Sequence, residues 1–271
     1  MPMVQAGSVN LEYFDRGDAE PAVVLVHGYR SSARIWDATQ QLLAERGVRS
    51  VAISMRGAGA SDVTAHAEDY SAFQFGQDLA TAVDALNIDR FILVGHSMGA
   101  STVTNFARDH EDRLLALVLL SGGALSDGRP IELTPEQQLA WDERIEGYPG
   151  NIDRGYWEAE HVGLSEQTRA QLWQDWQTVP PQRMRGIRST PRDLQAVLRA
   201  ISTPTLITFG DRDRTVPPES SVQAYLTLPS EQRSLQVFHG VDHSPNAVIP
   251  DRFTGTLARF IANVVPTEVT A

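Results

Sequence analysis

The chain contains no cysteine and no lysine. Without cysteine it has no disulfide framework, no thiolate nucleophile and no cysteine-ligated metal. All 23 basic residues are arginine, so no Schiff-base lysine exists, and pyridoxal phosphate bound in the usual covalent way is excluded. Positive charge is also in deficit. A net charge of −11 argues against nucleic acid or an anionic membrane surface as a partner. No apolar run approaches the length needed to span a bilayer, and Met1-Pro2-Met3-Val4-Gln5 lacks the basic-then-apolar pattern of a secretion signal. The expectation from these absences is a soluble, cytoplasmic protein. Its 271 residues, 42% of them hydrophobic, suffice for one large core with an insertion.

The stretch Phe91-Ile92-Leu93-Val94-Gly95-His96-Ser97-Met98-Gly99-Ala100 is the most informative one present. Apolar, strand-forming residues run straight into G-x-S-x-G, and a helical pattern follows. This is the order of a nucleophile elbow, a strand-turn-helix with one serine at the apex. Gly95 and Gly99 flank the turn, where a Cβ would collide with the neighbouring strand or the start of the helix. Ser97 is thereby presented at the top of the sheet, near helix N–H groups that favour developing negative charge.

A serine hydroxyl needs a base to remove its proton. Two downstream loops at strand ends supply candidates. Strand 205–209 runs into Gly210-Asp211-Arg212-Asp213, and strand 234–238 into Gly240-Val241-Asp242-His243-Ser244-Pro245. Sites in open parallel sheets lie at the carboxyl ends of strands, so the three loops converge on one crevice. Asp242, adjacent to His243, points the wrong way to orient its neighbour's ring, and His239 alternates out of the last strand. His27 and His96 are expected to pack.

Together these segments resemble the α/β-hydrolase superfamily along almost the whole chain. His27-Gly28-Tyr29 is similar to the family's oxyanion loop, Arg56-Gly57-Ala58-Gly59-Ala60-Ser61-Asp62 to its R-G-x-G-x-S-D loop, Gly210 to Asp213 to G-x-x-D, and Gly240 to Pro245 to G-x-x-H-x-P. The resemblance implies a triad of Ser97, Asp213 and His243, Asp213 fitting the family's spacing where Asp211 does not. It also implies an oxyanion hole made by the backbone N–H groups of Tyr29 and Met98. Ala58 and Ser54 stand where relatives often carry His and Asp, a departure that bears on subfamily. Ser61 and Asp62 are expected to cap or position the following helix. Arg30, Arg34 and Arg56 could bind a substrate carboxylate, but a solvated surface position is the commoner outcome for arginine and is the expectation here.

Strand and helix patterns alternate along the chain: strands at 9–14, 22–26, 48–53, 91–94 and 114–120, with helices near 35–46 and 71–86. That alternation predicts an α/β fold, a mostly parallel sheet flanked by helices. From about residue 125 to 188 the sequence turns polar, helix-forming and Trp-rich, broken by Pro149-Gly150, Pro180-Pro181 and Gly186. This resembles the helical cap that α/β-hydrolases insert after the sixth strand. The expected organisation is a core of residues 1–124 and 189–271 with a cap of 125–188. Trp141, Trp157, Trp173 and Trp176, with Tyr148 and Tyr156, either roof an apolar pocket or glue small helices together. At least one ring is expected to face the pocket.

The reaction these parts imply is hydrolysis of a carboxylic ester or lactone of a small hydrophobic substrate through an acyl-enzyme, with no metal or organic cofactor required. Other readings stay open, because a fold does not determine a reaction. One is a C–C bond hydrolase acting on a ketone substrate, a β-diketone or a ring-fission product. Others are a cofactor-free haloperoxidase, oxygenase or lyase, and a ligand receptor that retains the triad. Amide cleavage uses the same triad. Oligomeric state is not encoded in any of these motifs.

Overall fold

Uninterrupted apolar runs leave a strand no solvent-facing side, so they belong at the centre of a sheet covered on both faces. The computed structural model, which describes residues 2–122, 133–186 and 193–265, has this arrangement. Its strands are β1 (Met3–Ala6), β2 (Val9–Arg16), β3 (Val23–Val26), β4 (Ser50–Ile53), β5 (Phe91–His96), β6 (Leu114–Leu120), β7 (Thr205–Gly210) and β8 (Arg233–Phe238). They form one sheet in the order β1-β2-β4-β3-β5-β6-β7-β8. The β1–β2 and β2–β4 pairs are antiparallel and the rest parallel. Every residue of β3 to β7 is buried, whereas the edge strand β8 turns Leu235 and Val237 toward solvent.

The helices are α1 (Asp37–Ala44), α2 (Ala72–Ala85), α3 (Met98–His110), α4 (Pro135–Glu146), α5 (Arg154–Ala159), α6 (Glu166–Gln177), α7 (Pro181–Gly186), α8 (Leu194–Ala200), α9 (Pro218–Thr227), α10 (Pro245–Val248) and α11 (Pro250–Val264). Side chains alternate across a strand, so each central strand feeds two cores. Val24, Val26, Leu93, Leu117 and Leu119 pack with Phe75, Leu79, Val103 and Phe106 of α2 and α3. Val23, Leu25, Ile92, Val94 and Leu120 pack on the other face with Leu43 of α1 and with Phe253, Leu257 and Phe260 of α11. No helix among the described residues is long and apolar enough to cross a membrane.

Two features depart from the sequence reading. The opening strand is β1, not the segment at 9–14. Met3–Ala6 is too short to register as a pattern, yet it forms an antiparallel hairpin with β2 around Gly7, whose φ of +61° suits glycine. Ser61 and Asp62 do not cap a helix. Ser61 Oγ accepts from Glu12 N and donates to Ser54 O, and Asp62 accepts from the backbone and side-chain nitrogens of Asn10, tying their loop to β2.

Helices α4 to α7 lie between β6 and α8, in the polar, Trp-rich stretch. The expected boundaries of that insertion, at 124/125 and 188/189, lie outside the described residues. Three of these helices start where the sequence supplies an N-cap: Thr134 in a capping box with Gln137, Asp153 and Ser165. The insertion is clamped to the core by Arg34, which pairs with Glu12 of β2 at 2.8 Å and with Asp175 of α6 at 3.0 Å.

Candidate active site

The turn after β5 holds Ser97 at φ +54°, ψ −119°, a conformation few non-glycine residues adopt and one that costs on the order of 1–3 kcal/mol. Its neighbours explain how the turn closes so tightly. A Cβ on Gly95 would stand 2.4 Å from the Gly99 carbonyl oxygen, and one on Gly99 would stand 2.5 Å from that of Val26. The strain is held by hydrogen bonds: Ser97 N donates to Leu120 O at 2.8 Å, and Ala100 N to Ser97 O at 2.9 Å.

Loops from β7 and β8 bring the other two residues to Ser97. Ser97 Oγ lies 2.9 Å from His243 Nε2, and His243 Nδ1 lies 2.8 Å from Asp213 Oδ2. The second Asp213 oxygen accepts from the backbone N–H groups of Thr215 and Val216, both at 2.8 Å. Every contact of that carboxyl is a donor aimed at it, so the Nδ1 proton sits on the Asp213 side and Nε2 is left to accept the Ser97 hydroxyl proton. The Asp213 side chain is 1% exposed and that of His243 11%.

The rival acids are engaged elsewhere. Asp211 accepts from Gly240 N at 2.7 Å and faces His239, a largely exposed ring on the outer side of the loop. Asp242 accepts from Arg214 N at 2.8 Å and pairs with its guanidinium.

Two buried histidines frame the centre. His27 accepts from Met55 N at 3.0 Å through Nε2, and Nδ1 donates to Gly28 O at 2.7 Å. Burial pushes it down to about 3, so it stays neutral. His96, expected only to pack, also donates from Nε2 to the His243 carbonyl oxygen at 3.1 Å. Burial, followed by the proximity of His243, holds it well below the usual histidine range. Its position next to Ser97 was the only sequence signal for this role.

A cavity of about 280 Å³ opens on Ser97 and His243, at the small end of ligand-sized pockets. Its apolar walls include Ile35, Ile152, Trp157 and Trp176. Trp141 and Trp173 are not among the lining residues, which corrects part of the expectation. Trp141 stacks on Tyr29 at 6.5 Å, and Trp173 packs edge-on against Trp157 at 4.9 Å under the Arg154 guanidinium. They support the lining rings from behind, a distinction that depends on which way each short helix is rolled.

Tyr29 lines the cavity, and its hydroxyl donates to Met184 O at 3.2 Å. A Cβ on the preceding Gly28 would stand 3.1 Å from Ser97 Cβ, so this backbone passes directly beside the serine. Met98 is the first residue of α3, where a helix leaves its N–H without an acceptor inside the helix.

Glu160 and His161 also line the cavity and were not singled out in the sequence. Burial, then the Asp242 charge, pushes the Glu160 carboxyl up to about 7 beside His243 and Ser244. His161 donates to Trp157 O at 2.6 Å and is held down to about 4 by burial. The arginines expected at the surface are not there. Arg56 is buried against Asp78 with two bonds of 2.6 Å, Arg34 is the clamp described above, and Arg30 lines the cavity. Among the described residues no cluster of three or more His, Asp or Glu could hold a metal ion.

Comparison with known proteins gives matches that span the chain. A family model described as the alpha/beta hydrolase fold matches residues 21–156. A non-heme haloperoxidase of Rhodococcus erythropolis is 27% identical over 286 residues, covering 96% of this chain and 99% of its own. A thermophilic esterase from Thermogutta terrifontis, solved with malate bound, superposes with a TM-score of 0.78 at 25% identity, covering 98% of this chain and 99% of its own. An enol-lactonase from Burkholderia xenovorans LB400 superposes at 0.77 with 21% identity, over 96% of this chain and 100% of its own, a likeness of fold.

Proposed function

The chain belongs to the α/β-hydrolase fold family, and as a member of it we propose that it cleaves a carboxylic ester or lactone of a small, largely apolar substrate through an acyl-enzyme. One observation carries the reading. Ser97, His243 and Asp213 form an unbroken hydrogen-bonded chain, at 2.9 and 2.8 Å, that opens on the cavity.

The mechanism follows from that chain. Ser97 Oγ attacks the substrate carbonyl carbon as His243 Nε2 takes its proton. Asp213 keeps the other imidazole proton on Nδ1 and stabilises the imidazolium that results. The negative charge that develops on the carbonyl oxygen is met by the N–H of Met98 at the start of α3 and by that of Tyr29 from the neighbouring loop. Each such donor contributes on the order of 3 kcal/mol to lowering the barrier. His243 returns its proton to the leaving oxygen, the C–O bond breaks, and the acyl group stays on Ser97. Water, deprotonated by the same imidazole, then releases the acid. Helices α4 to α7, the cap expected from residues 125–188, supply Tyr156, Trp157 and Trp176 to the cavity wall and set which acyl groups fit.

A second reading is favoured by the haloperoxidase relative, which matches along 96% of the chain. If hydrogen peroxide rather than water takes the acyl group, the product is a peracid, an oxidant able to oxidise halide. The same acyl-enzyme serves both.

The test is intact-protein mass spectrometry during turnover of a panel of small esters, with Ser97→Ala as the control. An acyl adduct on the wild type that disappears together with activity in the variant supports the reading. Ester cleavage that persists in Ser97→Ala overturns it. Adding peroxide and bromide to the same assay separates the two fates of the acyl group.

A further inference from the structure

Arg30 follows Tyr29 in the loop after β3 and lines the same cavity as Ser97 and His243. Its guanidinium stands among aromatic rings, 5.0 Å from the centroid of Trp176, 5.6 Å from Tyr148 and 5.9 Å from Tyr29. Among the described residues Arg34 and Arg56 have carboxylate partners within ion-pair distance and Arg30 has none. The charged neighbour that does act on it is another cation, Arg144, which reaches the cavity from α4. Burial and that like charge hold Arg30 below the usual arginine value. A third guanidinium, Arg183 of α7, is fully buried with none of its nitrogens hydrogen-bonded, and it acts on the same Tyr29 and Tyr148 rings.

The cavity wall carries two acids, and among the described residues neither is ion-paired with Arg30 or Arg144. Asp153 accepts from Tyr156 N as the cap of α5. Glu160 lies at the catalytic end, beside His243 and Ser244. One part of the wall is therefore cationic and short of a counter-charge, and aromatic faces hold Arg30 in position there. A desolvated cation without a partner is unfavourable, and a planar guanidinium matches a carboxylate through two parallel hydrogen bonds. The whole chain carries a net charge of −11, so an anion bound here is held by this local patch and not by the long-range field of the protein.

We propose that Arg30 and Arg144 form a carboxylate subsite, so that the substrate is an acidic ester or lactone whose carbonyl sits at Ser97 while its carboxylate is held by the two guanidinium groups. This rests on the hydrolase reading and narrows its substrate class. The aliphatic part of such a molecule, between carbonyl and carboxylate, runs along Ile152 and Trp176.

Calorimetric titration of the Ser97→Ala protein tests the subsite without requiring turnover. Monoethyl glutarate is compared with ethyl valerate, which has the same chain and no carboxylate, and the succinate and adipate monoesters vary the span. The expected result is at least tenfold tighter binding of the best monoester, weakened by added salt. That preference falls about tenfold on adding Arg30→Gln and by a smaller factor on adding Arg144→Gln. Arg144 is exposed, so its variant keeps the test intact if loss of Arg30 from the aromatic cluster disturbs folding. Equal binding of monoester and ethyl valerate overturns the proposal, as does an equal loss for both ligands in the variants. A wild-type enzyme that binds the monoester tightly but forms no acyl adduct would sink the hydrolase reading and leave the subsite standing.

Discussion

The imidazole of His96 donates to the main-chain carbonyl of His243 at 3.1 Å, and the two rings stand 4.9 Å apart. The residue beside Ser97 thus holds the backbone of His243, the base of the proposed mechanism. A carbonyl can only accept, so Nε2 of His96 must carry the proton, and burial keeps that ring neutral.

In that mechanism His96 acts as a positioning residue. Replacing it with phenylalanine keeps a ring in the core but removes the donor. The expected outcome is a fall in kcat of about tenfold, roughly 1.4 kcal/mol in the barrier, with KM little changed. His96→Gln, which retains an N–H near the same place, should recover part of kcat. A KM that rises in step with the fall in kcat would argue for general disruption instead.

Asp213 and Asp211 are two residues apart and do different work. Asp213→Asn would let His243 settle in the wrong tautomer, and kcat should drop by about 10⁴ in ester hydrolysis. Asp211→Asn loosens only the Gly240 turn, so its kcat/KM should stay within about threefold of wild type. Circular dichroism of both variants checks that the fold is intact.

Glu160 links the cavity to stability. In the unfolded chain this carboxyl releases its proton near 4.5, but the fold keeps it to about 7. The folded state therefore holds the extra proton between these values, and stability falls as pH rises through them, by up to about 3 kcal/mol. Glu160→Gln cannot titrate. Its melting temperature should match wild type near pH 4.5 and exceed it progressively toward pH 8. On the acid side, His27 and His161 are held to about 3 and about 4 while the unfolded chain protonates them near 6.5. Stability is lost there as pH falls below 6.5, equally in wild type and variant. A pH-independent difference between the two melting curves would contradict the Glu160 assignment.

The tryptophans divide into lining and supporting rings. Trp176→Phe reshapes the cavity wall and should change the ranking of acyl chain lengths, with individual kcat/KM values moving about tenfold. Trp173→Phe, behind Trp157, should leave that ranking unchanged and lower the melting temperature by a few degrees, since it removes packing worth about 1–2 kcal/mol. Measuring the ester series on both variants separates the two roles.

What the sequence determined by itself was local in nature. The elbow is written in a strand-forming run, two glycines that admit no Cβ and a helix start, all within ten consecutive residues. The buried strands announce themselves as apolar runs. The choice of Asp213 over Asp211 came from the resemblance to the α/β-hydrolase superfamily, whose spacing Asp213 fits.

Only the tertiary structure decided which groups are left without partners. Arg30, Arg34 and Arg56 are the same residue type within a span of 27 positions, yet among the described residues two meet carboxylates from distant strands and helices and one does not. Sequence cannot separate them, because charge compensation depends on which segments pack together across gaps of up to 141 positions, as between Arg34 and Asp175. The same holds for Trp141 and Trp176, whose roles follow from how a short helix is rolled against the core rather than from its composition.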